Sequence, residues 1–451
     1  MSQVFYRFRK TFKAYASGGN MLMFATALAL LVVNLPFTKD FYNSLWTHEV
    51  VLQIGDFNLF SHNGHPMSLM DFINDALMVF FFFSVGLEIK REVLVGELRS
   101  FRAALLPIIA ACGGMIVPVV IFYLLSQGTD YSGGAAIPMA TDIAFSLGVL
   151  SMLGKRVPVG LKIFLTTLAV VDDIGGILVI AIFYSTQINY WLLVAAAGVL
   201  ALIAIGGAFG IQSKMFYFIF GTVVWFMFLN AGIHPTIAGV LIAFCVPAKP
   251  LLAPRKFIET IREKIGHFSK DDDHRLESKT ILTSQQMDWL KEIESASDKV
   301  ISPLQDMEDN LNPLVNYLIV PLFAFANAGI YFGDMALSDA YSGVSLAIIC
   351  GLVLGKFLGI FSFSWLTIKC KLAPMPSNSN WKMLAAVSVV GGIGFTVSLF
   401  IANLSFGTGD PFMSKILNDA KLGILLGSIL AGVLGYFCMK MVMPKHAVDE
   451  E

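Results

Sequence analysis

The chain has 451 residues, of which 56% are hydrophobic and only 14% are charged, with a mean hydropathy of +0.72. Soluble domains usually carry about 25% charged residues. This composition therefore excludes an ordinary soluble enzyme, a disordered chain and a nucleic-acid-binding protein. The charge is concentrated, because residues 248–312 hold 23 of the 63 charged side chains. Outside that segment, the long apolar runs are typical of an all-α polytopic membrane protein.

About twelve apolar segments approach the roughly 20 residues that a helix needs to cross a bilayer. The seventh and eighth are short. The segments lie near 18–37, 70–89, 103–126, 135–153, 163–184, 190–209, 216–230, 232–247, 313–331, 343–368, 383–404 and 421–440. The chain then divides into transmembrane helices 1–8 at 1–247, a charged cytoplasmic loop insert at 248–312, transmembrane helices 9–12 at 313–440 and a cytoplasmic tail at 441–451.

The distribution of Lys and Arg predicts the orientation, because cytoplasmic loops carry an excess of both. With a cytoplasmic N-terminus, inside loops carry 27 of the 31 Lys and Arg residues, and outside loops carry Lys39, Lys415 and Lys421. The remaining one, Lys356, falls within the tenth segment. Both termini are therefore expected in the cytoplasm. The first apolar run lacks a small-residue cleavage site, so we expect it to remain as a signal anchor.

Residues 50–61 alternate around Gly55-Asp56, which predicts a small external β-hairpin. Such a hairpin can pair edge to edge with a second copy of the chain and form a homodimer. An ordered loop on the membrane surface fits the same pattern about as well. The five cysteines form no CxxC pair and lie in or beside apolar runs, so neither a disulfide framework nor a zinc site is predicted.

Four charged residues lie near the middle of apolar segments, where a charge costs roughly 2.5–3.5 kcal/mol on insertion scales. They are Asp142, Asp172, Asp173 and Lys356, and Glu88 lies near the cytoplasmic end of the second segment. Paired charges that only hold helices together would explain one such residue. Three carboxylates and a lysine instead favour an ion pathway.

The adjacent Asp172 and Asp173 point about 100° apart on a helix. One can therefore face a cavity while the other faces a neighbouring helix. Two carboxylates this close disfavour joint ionisation, which suits a proton carrier. Carboxylates are also hard oxygen ligands for a small cation. A group that must release a proton before it binds a cation couples the two by competition, which is a minimal mechanism for cation/proton exchange. Lys356 can pair with one of the two.

Two segments are predicted to be discontinuous helices. The fourth carries Pro138 before Thr141-Asp142, and the eleventh contains Gly391-Gly392-Ile393-Gly394. Ordinary small-residue packing explains the glycines but not an aspartate beside a break. Breaks in corresponding segments of two halves indicate a binding site between half-helices. The partial charges of the half-helix ends can be compensated by Asp142 and Lys356. Segments 3–5 and 10–12 would then be inverted repeats.

These motifs resemble the NhaA family of bacterial sodium/proton antiporters. The resemblance covers nearly the whole chain, through INDALMVFFFFSVGLEIKRE, ATDIAFSLGVL, VVDDIGGILVI, AGIHPTIAGV, PLFAFANAGI, LGKFLGI, GGIGFTVSLFIANLSFGTGDP and AKLGILLGS. It implies twelve helices, of which the fourth and eleventh cross as extended breaks. It also implies a multi-pass protein of the bacterial inner membrane, surrounded by lipid. Such a protein exchanges cytoplasmic Na+ or Li+ for external H+, electrogenically and with pH activation.

The resemblance also implies roles for single residues. Asp173 takes the principal sodium and proton position, and Asp172 is either a second Na+ ligand or the salt-bridge partner of Lys356. Thr141 and Asp142 match the Thr-Asp at the break of the fourth helix. Four residues match acidic or histidine positions linked to the pH response, namely Glu88, Glu92, His234 and Glu308. No cofactor besides the transported Na+, Li+ and H+ is implied, and no nucleic-acid partner.

Two features depart from the family pattern. Phe357 follows Lys356 where the best-known members have a proline, and the 248–312 loop is much longer than theirs. Residues 255–300 are expected to form a solvated amphipathic insert, with a regulatory or partner-binding element as the alternative. A metal site at His267, Asp271–Asp273 and His274 is a further alternative.

Three other functions fit parts of the pattern. A sodium-coupled organic-anion symporter of related fold would need a larger cavity with polar anchoring groups. An intramembrane aspartyl protease could use Asp142 with Asp173, but a buried Lys356 would hold such a dyad ionised. A passive channel would not need titratable groups in mid-membrane. The expectation is therefore a secondary transporter and not an enzyme.

Overall fold

The structure is a computed structural model that describes residues 18–55, 57–62, 65–185, 188–270, 283–334, 343–407 and 410–444. Helices dominate this part of the chain. In chain order they are α1 (Gly18–Asn34), α2 (Lys39–Thr47), α3 (Leu69–Leu94), α4 (Phe101–Ser126), α5 (Ile143–Met152), α6 (Val159–Phe183), α7 (Tyr190–Ala208), α8 (Lys214–Ala231), α9 (Thr236–Cys245), α10 (Pro254–Lys270), α11 (Ser284–Val300), α12 (Pro303–Leu314), α13 (Val320–Asn327), α14 (Gly343–Lys369), α15 (Trp381–Val390), α16 (Phe395–Phe406) and α17 (Pro411–Val442).

Short helical turns lie between and within these helices. Tighter 3₁₀ turns occupy Glu97–Arg99, Ser132–Gly134, Ile137–Met139, Gly154–Arg156 and Phe332–Asp334. Wider π-helical turns occupy Phe72–Leu77 in α3, Val315–Ile319 between α12 and α13, and Gly351–Gly355 in α14. Such turns inside helices often mark functional regions, and the last one directly precedes Lys356.

Seven helices in the described part of the chain are long and apolar enough to cross a membrane: α3, α4, α6, α7, α8, α14 and α17. Three sharply bent pairs raise that number to ten when each pair is taken as one span. The pairs are α1 with α2, Ser132–Met139 with α5, and α15 with α16. The protein is therefore an all-α polytopic membrane protein, and the count of twelve spans stays a prediction.

Two helices begin earlier than the apolar segments predict, because polar caps and polar first turns precede the apolar residues. The hydroxyl of Ser302 accepts a hydrogen bond from the backbone N–H of Gln305 at the start of α12, so helix crosses the expected boundary at residue 312. Asp410 caps α17, which starts ten residues before residue 421. Lys421, assigned above to an external loop, therefore lies within α17, and its side chain is buried.

Five short strands connect α2 to α3. They are β1 (Glu49–Val50), β2 (Gln53–Ile54), β3 (Phe57–Asn58), β4 (Ser61–His62) and β5 (His65–Ser68). Strand β5 pairs antiparallel with β1 and β4, and β2 pairs antiparallel with β3, with Gln53 opposite Asn58. Gly55 has φ of +62° at the β2–β3 turn, a conformation that glycine adopts without strain. The role of this segment between two copies stays a prediction.

Helix α14, which carries Lys356, packs very closely against α4. A Cβ atom at Gly359 would overlap the carbonyl oxygen of Gly113, and a Cβ atom at Gly113 would overlap the carbonyl oxygen of Gly359. Only glycines permit this approach of two backbones, a common device between membrane helices. At Gly114, one position further along α4, a Cβ atom would lie 2.9 Å from the side chain of Ile360 and 3.7 Å from Lys356 Nζ. The glycines thus let α14 bring the lysine close to α4.

We expect Gly359→Ala to destabilise the protein by about 1–3 kcal/mol, because the added methyl group must displace the backbone of α4. Loss of the monodisperse gel-filtration peak with temperature in detergent measures this as a lowered apparent Tm. Gly198→Ala in α7 is the matched control, since a Cβ atom there meets nothing within 4 Å. An equal apparent Tm for the two variants would contradict the close-packing account.

Candidate ion-binding site

The two interrupted helices meet at their breaks. Ser132–Met139 and α5 are bent by 40° at residues 140–142, and α15 and α16 are bent by 45° at residues 391–394. Both predicted interruptions are therefore present. The backbone N–H of Asp142 donates to the carbonyl oxygen of Ile393 at 2.7 Å, which joins one break directly to the other. Glycines 392 and 394 are required there, since a Cβ atom at either would overlap a neighbouring side chain or carbonyl.

Asp142 caps two half-helices with one buried carboxylate. Its Oδ1 accepts from the backbone N–H of Phe145 at 3.0 Å, in the first turn of α5. Its Oδ2 accepts from the backbone N–H of Thr396 at 3.1 Å and from the Thr396 hydroxyl at 2.6 Å, in the first turn of α16. Helix N-termini carry partial positive charge, so the anionic side chain lies where both half-helices favour it. Thr396 was not among the predicted site residues.

Lys356 lies beside Asp172 on the other side of the crossing. Its Nζ is 2.5 Å from Asp172 Oδ2, and both side chains are fully buried. The same Nζ donates to the Thr141 hydroxyl oxygen at 2.9 Å. That hydroxyl is 2.7 Å from Asp172 Oδ2 and 2.9 Å from the carbonyl oxygen of Gly391, so its proton goes to one of these two acceptors. Because Gly391 ends α15, the lysine also lies near a helix C-terminus, where a cation is favoured.

The two adjacent aspartates have different surroundings. Asp173 lines a cavity of about 510 Å³, together with Thr141, Asp142, Glu88 and Thr396. Asp172 is not part of that lining, and its Oδ1 is buried with no hydrogen-bond partner in the described part of the chain. The Asp173 carboxylate makes no hydrogen bond to the described residues either. One carboxylate is thus held by a lysine and the other is available to whatever enters the cavity.

The cavity extends to a cluster of charged groups at the end of α3. Arg91 Nη1 lies 2.6 Å from Glu308 Oε1 on α12, and Arg91 also lies 3.3 Å from Glu92. Burial raises the pKa of Glu308, an effect that the Arg91 guanidinium opposes and Glu88 reinforces. Three of the predicted pH-response residues therefore lie together. Arg91 was missed, although its spacing of three from Glu88 already placed both on one helix face.

His234 lies apart from the cavity. Its Nδ1 is 2.8 Å from the Thr236 hydroxyl, and its Nε2 is 3.4 Å from Asp75 Oδ1. Asp75 is 13 residues from Glu88 along α3, which corresponds to about 20 Å of helix. His234 is therefore at the opposite end of α3 from the charged cluster. Nothing in the sequence around Asp75 indicated that it would lie beside His234.

A buried aromatic cluster lies about one helical turn after Thr396 on α16, towards His234. The Phe400 ring contacts the rings of Phe82, Phe323 and His234 at centroid distances of 5.3–6.1 Å. Beyond them, the Asn403 amide donates to Asn327 at 2.7 Å, and the Asn327 amide donates to Asn74 at 2.9 Å. The lining of the cavity thus includes Glu308, whereas this aromatic and amide cluster lies outside the lining.

Hard oxygen groups dominate the inner end of the cavity, which suits a small alkali cation. Within the described ranges, no group of three or more His, Cys, Asp and Glu residues could hold a resident metal ion. The possible insert site falls outside them, because Asp271–Asp273, His274 and the side chain of His267 are not in the described part of the chain.

The fold and this site define a multi-pass membrane protein with buried, partly unpaired carboxylates at the crossing of two broken helices. A family model described as Na+/H+ antiporter 1 matches residues 9–439. The chain is 52% identical to the Na(+)/H(+) antiporter NhaA of Phocaeicola vulgatus, over 99% of this chain and 98% of that protein. It is 54% identical to the protein of that name from Bacteroides fragilis, over 98% of this chain and 99% of that protein. The chain belongs to this antiporter family.

The Lys356–Asp172 pair yields a stability prediction. We expect Lys356→Met to destabilise the protein by about 3–5 kcal/mol, because it leaves a buried carboxylate without its cation. The double variant Lys356→Met with Asp172→Asn should recover most of that loss, since no unpaired charge remains. Apparent Tm in detergent measures both variants. If the double variant is no more stable than Lys356→Met, the pair does not stabilise the fold in this way.

Proposed function

We propose that the protein exchanges cytoplasmic Na+ for external H+ and that both ions compete for the carboxylate of Asp173. The carrying observation is the unequal surroundings of the two aspartates, with Asp172 paired to Lys356 and Asp173 facing the cavity. A carboxylate without a hydrogen-bond partner binds either a proton or a cation. Because it cannot bind both, entry of one ion releases the other. Membership of the antiporter family supports this proposal.

Asp172 supplies a second oxygen for the ion. Its Oδ2 is engaged by Lys356 and Thr141, whereas its Oδ1 has no partner among the described residues. A cation between Asp173 and Asp172 would weaken the attraction of Asp172 for Lys356. The lysine then becomes a second proton carrier. Li+ should replace Na+ because carboxylates are hard ligands, and K+ should fit less well.

Two proton carriers per cation make the exchange electrogenic. One pH unit is worth about 1.36 kcal/mol per proton, and 100 mV is worth about 2.3 kcal/mol per charge. In alkaline medium the pH gradient opposes sodium export. Only the movement of more protons than sodium ions lets the membrane potential drive that export.

Access from one side at a time follows from the cavity. We infer that the charged cluster at Glu308 faces the cytoplasm, in agreement with the Lys and Arg distribution. The aromatic cluster around Phe400 then lies on the outward side and must move to release the ion. The proposal also includes twelve spans with inverted repeats. It places both termini in the cytoplasm and the protein in the bacterial inner membrane.

The other candidate functions fit the geometry less well. Both Asp142 oxygens already accept hydrogen bonds from the half-helices, so Asp142 is not available for a protease dyad with Asp173. The cavity lining carries four acidic side chains, Asp142, Asp173, Glu88 and Glu308, against one basic side chain, Arg91, and this excess of negative charge would repel an organic anion.

We expect Asp173→Asn to abolish cation-dependent proton movement. In inside-out vesicles with an acid interior, added Na+ or Li+ should collapse the pH gradient for the unaltered protein and not for the variant. Asparagine is neutral, so it can neither release a proton nor bind the cation through a negative charge. A pH-sensitive dye measures the gradient. Asp288→Asn on the exposed surface of α11 is the matched control and should transport normally. Full exchange by an Asp173→Asn protein that is inserted in the membrane would contradict the proposal.

Glu308 should shift the pH dependence of transport. Its raised pKa means that it ionises at higher pH than a free glutamate, and its attraction to Arg91 strengthens as pH rises through that value. Glu308→Gln imitates the protonated form, so we expect the activation midpoint to move to higher pH by roughly half a unit or more. The vesicle assay between pH 6.5 and 8.5 measures this.

The control for Glu308 is Glu294→Gln, which removes an exposed carboxylate on α11. It should leave the midpoint unchanged. An unchanged midpoint in Glu308→Gln as well would show that this carboxylate does not set the pH response.

A further inference from the structure

The insert forms a helical hairpin, α10 and α11, whose ends are tied to each other and to the segment after α9. The backbone N–H of Leu252 donates to the carbonyl oxygen of Lys299 at 2.9 Å, and the N–H of Leu304 donates to the carbonyl oxygen of Pro247 at 3.2 Å. The first hydrogen bond joins the residues just before α10 to the end of α11. The second joins the start of α12 to Pro247, two residues after α9 ends at Cys245. Its position relative to the transmembrane helices is therefore set by short connections.

One face of α10 packs against α11. Phe257 and Ile261 are partly buried on this face, and Lys264 on the same side forms an ion pair of 2.6 Å with Glu292. On α11, Ile293 and Ala296 face inward at helical spacing. The hairpin therefore has its own small apolar interior, and the opposite face of α10 is free of α11.

The face of α10 beside this interior combines apolar and cationic side chains. Ile258 and Ile265 are 56% and 55% exposed, and they point in nearly the same direction because seven residues make almost two turns. Arg255 and Arg262 lie on the same stripe, since each is three or four residues from an isoleucine. The acidic Glu259 and Glu263 lie on the next face, and Glu259 Oε1 is 3.5 Å from Arg255 Nε in an exposed ion pair. We call Arg255, Ile258, Arg262 and Ile265 the outer face of α10.

We propose that the outer face of α10 lies on the anionic lipid surface of the membrane in which the protein is embedded. Helices that lie in the headgroup region combine exposed aliphatic side chains with Arg or Lys, and anionic lipid attracts the cations. The linker of residues 246–253 spans at most about 28 Å when extended, so the bilayer surface is within reach of α10. Leu251 in this linker is also 59% exposed.

This surface is separate from the ion site, so it can be tested without transport. The full chain, with its five native cysteines replaced, receives Ile258→Cys and a bimane label. It is reconstituted in nanodiscs with brominated phosphatidylglycerol or brominated phosphatidylcholine. We expect bromine to quench the label at least about twofold more in the anionic lipid. The matched label at Glu294→Cys, an exposed position on α11, should be quenched little in either lipid.

Charge reversal completes the test. Arg255→Glu with Arg262→Glu should remove most of the difference between the two lipids, and 0.5 M salt should do the same because exposed charges are then screened. The proposal is overturned if Ile258 stays unquenched in both lipids. Equal quenching in both lipids, unchanged by charge reversal, would overturn the role of anionic lipid. A label that is protected only when native membrane proteins are present would instead indicate a protein partner.

Discussion

The structure depends on one carboxylate that satisfies two helix N-termini. Breaking a helix inside a membrane exposes N–H and C=O groups that no water reaches, and each such group costs several kcal/mol when left without a partner. The Asp142 carboxylate accepts hydrogen bonds from α5 and from α16, and the Asp142 backbone N–H donates to the carbonyl oxygen of Ile393. Because the two breaks satisfy each other, neither helix can be interrupted alone. The crossing is therefore a unit that positions every other group of the site.

The crossing also separates two chemically identical neighbours. Thr141, placed by the break, lies against both Asp172 and Lys356, and α14 brings the lysine to that point through its glycine contacts with α4. Helical geometry then turns Asp173 by about 100° into the cavity. The same residue type thus serves as an ion-pair partner at one position and as a carboxylate that lines the cavity at the next.

Much of this was predictable from composition and local sequence. Charges in apolar segments and the Gly and Pro interruptions identified Asp142, Asp172, Asp173, Lys356 and both breaks, because such groups are expensive in a membrane. Partners from distant segments were not predictable. Nothing local links Thr396 to Asp142, Arg91 to Glu308 or Asp75 to His234, since each pair is brought together only by packing. Polar helix starts were also missed, which placed Lys421 in a loop.

The central claim is that Na+ and H+ compete for Asp173, and proton release on sodium binding tests it most directly. Purified protein in weakly buffered detergent solution is titrated with Na+ while pH is recorded, with choline as the control cation. The account predicts that Na+ displaces protons from the unaltered protein and that Asp173→Asn, folded by gel filtration, releases none. Sodium binding to the unaltered protein without any proton release would contradict the account.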